Sequence, residues 1–270
     1  MGALVRRYWI PVLRADELAP GGRVKRVQLL GERLVAYRTP RGMPGLIGEY
    51  CPHRGASFYF GRVEDDGMRC VYHGWKFGLD GRCHETPNEP PESNFAAKLS
   101  HSAYPCVERG GLVWTYMGPG EAPALPALEW MNLPGAHVFA SKRVQECNWF
   151  QGLEGGIDSS HISFLHAPLQ HSNSRVTRDM DQAIQESQGA IVDRSQERLG
   201  SADTAIIQVR KRLLSAARAL QEPGALAPPG LDPTPYVLRT ASAVLAPDAD
   251  WVEAMKPMIY VPAGDTRRVA

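Results

Sequence analysis

Two short stretches place sulfur and nitrogen donors at metal-binding spacing. "CPHRG" offers Cys51 and His53, and sixteen positions further on "CVYHGW" offers Cys70 and His73. Two thiolates with two imidazoles suit either a tetrahedral zinc ion or a [2Fe-2S] cluster with mixed ligands. A zinc finger usually pairs Cys with Cys and His with His on separate elements, whereas here each loop supplies one of each. That symmetry favours the cluster, with both thiolates on an inner iron and both imidazoles on an outer one. Neutral imidazoles on the outer iron raise the reduction potential well above that of an all-cysteine cluster. Zinc stays the alternative.

A second constellation follows in "DSSHISFLH", with Asp158, His161 and His166. Asp158 and His161 are three apart, so a helix would put them on one face. His161 and His166 are five apart, which leaves them about 140° apart on a regular helix. Both reach one ion only if the helix ends or distorts between them, and Pro168 favours an ending. Two histidines and a carboxylate with open positions form the facial triad of non-haem Fe(II) oxygenases. More carboxylates follow at Asp179, Asp181 and Asp193.

The elements that must carry these residues change character along the chain. "VKRVQLL" (24–30), "RLVAYR" (33–38) and "PGLIGEY" (44–50) read as short strands between turn residues. "YPCVERGGLVWTYM" (104–117) reads as a hairpin about Gly110-Gly111. Residues 118–130 read as a Pro/Gly/Ala linker and 137–146 as one more strand. Helical patterns then dominate, over 148–166, 180–199 and 203–220, the last with Asp203 as its N-cap. The chain has 270 residues, 43% apolar and 22% charged, with net charge +1. That is an ordinary globular composition, with no sign of a nucleic-acid partner. No run of 18 apolar residues predicts a membrane span. The N-terminus lacks a signal-peptide core, and Arg6 breaks the myristoylation pattern, so a cytoplasmic location is expected. Five cysteines without an export signal argue for metal ligands and free thiols rather than disulfides. Cys83, Cys106 and Cys147 are read as buried thiols.

The pair C-P-H-R-G and C-x-x-H-G-W-K-F resembles the Rieske domain of aromatic-ring-hydroxylating oxygenases. Cytochrome-complex Rieske proteins carry an extra Cys in each loop; this chain has none. "ECNWFQGLEGGIDSSHISFLH" resembles the mononuclear-iron segment of the same oxygenases. "RRYWIPV" and "PNEPPESNF" point to the phthalate-dioxygenase branch. The resemblance covers roughly 1–170 and 180–251.

It implies an α+β fold: an all-β Rieske [2Fe-2S] domain with an N-terminal arm over 1–125, then a helix-grip-type catalytic domain over 126–270. It assigns Cys51, His53, Cys70 and His73 to the cluster and His161 and His166 to Fe(II). Asp158 becomes a relay that hydrogen-bonds His161 and bridges to His73 of the partner subunit, in a trimer or stacked trimers. "DQAIQESQGAIVDR" matches the branch's third-ligand helix, so Asp181 becomes the third iron ligand. Asp179 is the alternative by proximity, and Asp193 is structural.

The resemblance also exposes a departure. A seven-stranded sheet normally separates the histidine pair from that carboxylate and needs roughly 75 residues. Only fourteen residues lie between His166 and Asp181. A strand-rich block is therefore expected to be missing near 172–180. The implied function is a terminal oxygenase. It takes electrons from NAD(P)H through a separate reductase and uses O2 to hydroxylate an aromatic substrate, with an aromatic carboxylate expected. The alternative is an electron-transfer or inactive Rieske protein whose iron site the deletion has broken.

Overall fold

The computed structural model describes residues 1–166, 180–222, 236, 238–239 and 241–260. They fall into two compact units, residues 2–141 with 226–270, and residues 142–225. The first unit opens with a one-turn helix, α1 (Gly2–Val5). Its strands are β1 (Trp9–Arg14), β2 (Lys25–Leu29), β3 (Glu32–Arg38), β4 (Pro44–Gly48), β5 (Arg62–Glu64), β6 (Gly67–Arg69), β7 (Lys76–Gly78), β8 (Cys83–Glu85), β9 (Ala103–Tyr104), β10 (Cys106–Arg109) and β11 (Leu112–Tyr116). They pair as three antiparallel sheets, ordered β1-β11-β10, β2-β3-β4-β9 and β5-β6-β7-β8. The strands expected near 24–30, 33–38 and 44–50 form with small shifts at their ends, and Gly110-Gly111 turns β10 into β11.

β3 explains how one sheet serves two cores. "LVAY" is an unbroken apolar run, as expected of a strand buried on both faces, and Leu34, Val35, Ala36 and Tyr37 are all at most 2% exposed. Side chains alternate across a strand. Val35 and Tyr37 therefore join Ile47, Phe58, Met68 and Phe77 on one side, together with Cys51 and Cys70. Leu34 and Ala36 join Leu46, Leu13, Val113 and Met117 on the other. Each fully buried large side chain contributes about 1.5–3 kcal/mol. The metal-ligand loops are thus rooted in a packed core.

The second unit carries α2 (Trp149–Ile157), α3 (Ile162–Leu165), α4 (Met180–Ser187) and α5 (Thr204–Ala219), and no strand among its described residues. A last helix, α6 (Trp251–Ile259), belongs to the first unit. The α+β organisation holds, with an all-β N-terminal part and a C-terminal part that shows helices and no sheet among its described residues.

Three local expectations are corrected. Residues 138–146 form no strand: Phe139 is 91% and Val144 76% exposed, and no neighbouring strand offers a ladder. Instead α4 reaches across to this segment. Gln182 donates to the Val144 carbonyl (2.9 Å) and Glu186 accepts from the Glu146 N–H (2.9 Å). The helix expected over 180–199 stops at Ser187, just before Gly189 at φ +89. Asp203 precedes α5 as expected, but its carboxylate accepts from the Gly200 N–H (2.7 Å) rather than capping the helix. The proposed break near 172–180, the Leu169–Asp181 chain continuity and Asp179 lie outside the described residues, in whole or in part.

Candidate metal centres

The two thiol–imidazole loops are the same turn built twice. One lies between β4 and β5, the other between β6 and β7. In the first, Gly55 N–H donates to the Cys51 carbonyl (2.9 Å) and Cys51 N–H to the Ala56 carbonyl (2.9 Å). In the second, Gly74 N–H donates to Cys70 (3.0 Å) and Cys70 N–H to Trp75 (2.8 Å). The glycines, each four residues after the cysteine, sit at φ +73 and +75, where an L side chain is strained. The different spacings, C-x-H and C-x-x-H, therefore ride on one backbone frame.

Cys51 and Cys70 are 2% and 3% exposed, while His53 and His73 are half-buried. The imidazoles lie edge to face with centroids 4.5 Å apart. Thiols inside and imidazoles outside match the inner and outer irons of a mixed-ligand cluster.

Three observations test whether these residues fit such a group. Burial, with the adjoining Cys70 thiol contributing, pushes the Cys51 thiol up to about 11. Buried thiols in contact give up their protons when a bound cation takes the charge. His73 is held below the ordinary imidazole range, first by burial and then by His53 and Arg54; ligation needs the neutral ring. Finally, Nδ1 of His53 is buried with no hydrogen-bond partner among the described residues. Buried polar atoms are nearly always paired, and a metal bond would satisfy this one. The residues fit a [2Fe-2S] cluster.

Sequence reading missed the supports of these loops. Trp75 stacks flat on His53 (centroids 4.3 Å, 8° between planes), and its indole N–H donates to Asn88 Oδ1 (2.7 Å). Arg69 donates to the Gly74 carbonyl (2.8 Å) while held by Glu64 (2.6 Å) and Glu85 (2.8 Å). Trp75 and Asn88 stand inside the family-like segments "HGWKF" and "PNEPP", so their positions were visible but their contacts were not. Cys83 is buried as expected; Cys106 and Cys147 are half-buried, and all five thiols are free.

The second constellation also assembles. α2 starts with the Asn148 side chain accepting from the Phe150 N–H (3.0 Å) and ends at Ile157. Asp158 caps its C-terminus, and a Ser-Ser turn leads into the single turn of α3. His161 and His166 flank that turn, with ring centroids 5.3 Å apart. A break between α2 and α3 falls before His161, and α3 itself ends at Leu165, so a helix does end between the histidines, with His166 outside helical geometry. Both rings nevertheless converge: His161 Nε2 lies 3.4 Å and His166 Nε2 3.3 Å from Asp181 Oδ1, on the first turn of α4. These three donors lie within 4.8 Å of one another. The opposite nitrogen of His161, Nδ1, faces Asp158 Oδ2 at 3.5 Å. Asp158 is held below the usual carboxylate range, chiefly by the Ser160 hydroxyl (2.7 Å). Asp193 accepts from the Ser195 N–H (3.0 Å), a capping role.

Two imidazole nitrogens and one carboxylate oxygen form a donor set suited to Fe(II), so the residues fit. They are not enclosed: the His166 and Asp181 side chains are 37% and 52% exposed. Beside them lies a cavity of about 450 Å³ whose lining mixes Glu154, Asp158, His161 and Arg210 with Ile184 and Ile206.

Mixed thiol–imidazole loops on an all-β unit, followed by a two-histidine, one-carboxylate cluster on short helices, define a Rieske-type protein with a second candidate metal centre. Comparison with known families gives the same assignment. The Rieske [2Fe-2S] domain family matches residues 8–105, and a family described as "LigXa C-terminal domain like" matches 115–185 and 175–260. The chain belongs to the Rieske oxygenases, in the branch with a LigXa-like C-terminal domain.

Relatives include the oxygenase subunit of 3-chlorobenzoate-3,4-dioxygenase of Comamonas testosteroni. It is 48% identical over 174 residues, 64% of this chain and 40% of that protein. The phthalate 4,5-dioxygenase oxygenase subunit of Pseudomonas putida is 45% identical over 62% of this chain and 38% of its own. Among solved structures, the terminal oxygenase of carbazole 1,9a-dioxygenase from Nocardioides aromaticivorans IC177 aligns with TM-score 0.50 at 26% identity, over 62% of this chain and 47% of that one. A reduced complex of oxygenase and ferredoxin from carbazole 1,9a-dioxygenase aligns with TM-score 0.52 at 25% identity, over 62% and 43%. The chain spans about two fifths of the length of the curated relatives it matches.

Proposed function

We propose that this chain is a terminal oxygenase subunit that hydroxylates an aromatic compound, with an aromatic carboxylate as the expected substrate class. In this reading a reductase passes electrons from NAD(P)H to a cluster held by Cys51, His53, Cys70 and His73. His161, His166 and Asp181 hold Fe(II), and Asp158 is the relay. When bound, the cluster supplies single electrons and the iron supplies dioxygen activation. The chain's own residues set the geometry. His161 presents Nε2 to the metal position while Asp158 fixes its tautomer through Nδ1, a partnership that also raises ligand basicity. The Ser160 hydroxyl and N–H keep Asp158 ionised for that task. In a trimer or stacked trimers, Asp158 would also face His73 of the partner subunit.

The observation that carries the reading is the convergence of both Nε2 atoms on one Asp181 oxygen, with Asp158 behind His161. A second reading, a Rieske electron carrier or inactive chain, draws on the exposure of that same triad and on the short spacing of fourteen residues between His166 and Asp181. Oxygen uptake separates them. With NADH, a Rieske-oxygenase reductase and a panel of benzoates and phthalates, the oxygenase reading expects substrate-dependent uptake matched by hydroxylated product. Reduction of the cluster without product across the panel leaves the carrier.

A further inference from the structure

The triad is two half-sites on separate pieces of chain. Asp158, His161 and His166 follow the C-terminus of α2, while Asp181 sits on the first turn of α4. Something must set the distance between these helices, and no sheet does so among the described residues. We propose that a seam between α2 and α4, made by Gln151, Gly155 and Gln185, positions Asp181 against the histidines. The inference rests on the reading that the triad holds a metal.

Gln151 is the buried polar residue of the unit, 2% exposed. Its amide Nε2 donates to the carbonyls of Gln185 (3.0 Å) and Gly189 (3.1 Å), and its Oε1 accepts from the Val192 N–H (3.0 Å). One side chain of α2 thus satisfies the C-terminal end of α4 and the turn beyond it. One helical turn along α2, Gly155 leaves room for the Gln185 side chain, whose amide a methyl group at Gly155 would overlap. The Gln185 amide is in turn held by a hydrogen bond from Gln145. Polar bonds at Gln151 therefore set the register of the two helices, and the Gln185 side chain fills the space that Gly155 leaves between them. These three residues touch neither the histidines nor Asp181 in any contact described above. They act through the backbone and are positioning residues, not ligands.

Two substitutions test the seam from opposite sides. Gln151→Met keeps the volume and removes all three hydrogen bonds. Gly155→Ala adds the overlapping methyl yet raises intrinsic helix propensity by about 1 kcal/mol, so it loosens the seam without weakening α2. Anaerobic titration of the full chain with Co(II), or with Fe(II), reads the affinity of the triad. Visible absorption of the Rieske cluster reports separately on the first unit. Both variants are expected to weaken metal binding at the triad, by less than the roughly 10–100-fold that loss of a ligand's own hydrogen-bond partner costs, with cluster absorption unchanged. Adding Gln185→Ala to Gly155→Ala removes the overlapping amide and is expected to recover most of the lost affinity, a rescue that general destabilisation does not give.

Wild-type affinity in Gly155→Ala, or no recovery in the double variant, overturns the seam. If Gln151→Met loses its helical circular dichroism, the Gly155–Gln185 pair decides alone. If the wild-type chain binds no metal beyond the cluster, the triad reading itself fails and the seam falls with it.

Discussion

The two metal centres differ in what holds them. The thiol–imidazole loops grow out of a packed core: Cys51 and Cys70 share it with Val35, Phe58, Met68 and Phe77, and each loop is closed by paired backbone bonds. The triad stands at the edge of three short helices, with Asp181 half exposed and α3 only four residues long. A helix that short has no stability of its own. The first site is fixed by the fold around it, and the second by a few named side chains. Damage to the cluster site should therefore be all-or-none, whereas damage to the triad should be graded.

The largest expected effect is at Cys70. Cys70→Ala removes one of the two proposed inner ligands, and the visible spectrum of the cluster should vanish while metal binding at the triad survives. A chain that loses both together would show that the two units do not hold their metals independently. Next is Asp181→Ala, which should lower metal affinity at the triad by more than the roughly 10–100-fold that a supporting residue costs. Cluster absorption should not change, as metal titration with parallel spectroscopy will show.

Packing separates the regions further. Phe77, 0% exposed, should cost about 3–5 kcal/mol when cut to Ala. Phe164, 86% exposed, should cost within about 0.5 kcal/mol. Urea unfolding measures both, and equal costs would remove the contrast. Asp158→Asn should leave both centres loaded yet slow turnover by about 10–100-fold, read as NADH oxidation against metal content; an unchanged rate would end the relay assignment.

The smallest effect is acid sensitivity. Glu64 is held below the usual carboxylate range by the Arg69 guanidinium, and Asp66 by the Lys76 ammonium. Their stabilisation is present above the unfolded-state value near pH 4 and is lost as pH falls through the depressed folded values. The β5–β8 sheet should thus lose stability only below about pH 4, which a pH series of thermal unfolding will test.

How much was legible in the sequence follows the same division. Cysteine, histidine and glycine at fixed offsets mark the cluster loops because a turn is a local object. The strands of the first unit alternate or run apolar for equally local reasons. The triad was legible only in part. Its ligand types and order could be read, and so could a helix end between the histidines, which α3 supplies at Leu165, but a second break was not foreseen. That second break falls before His161, where Asp158 and the serines divert the chain. Segment 137–146 has the composition of a strand, but a strand needs a partner, and none pairs with it among the described residues. Trp75 under His53, Arg69 on Gly74 and Gln151 across α2 and α4 are long-range contacts, which no periodicity encodes.

The central claim is that one chain carries two separate iron centres. Anaerobic reconstitution with iron and sulfide, followed by iron analysis and Mössbauer spectroscopy, counts and sorts them. The account predicts about three irons per chain, two in a mixed-ligand cluster and one high-spin ferrous ion lost in Asp181→Ala. About two irons per chain, all in the cluster, would contradict it.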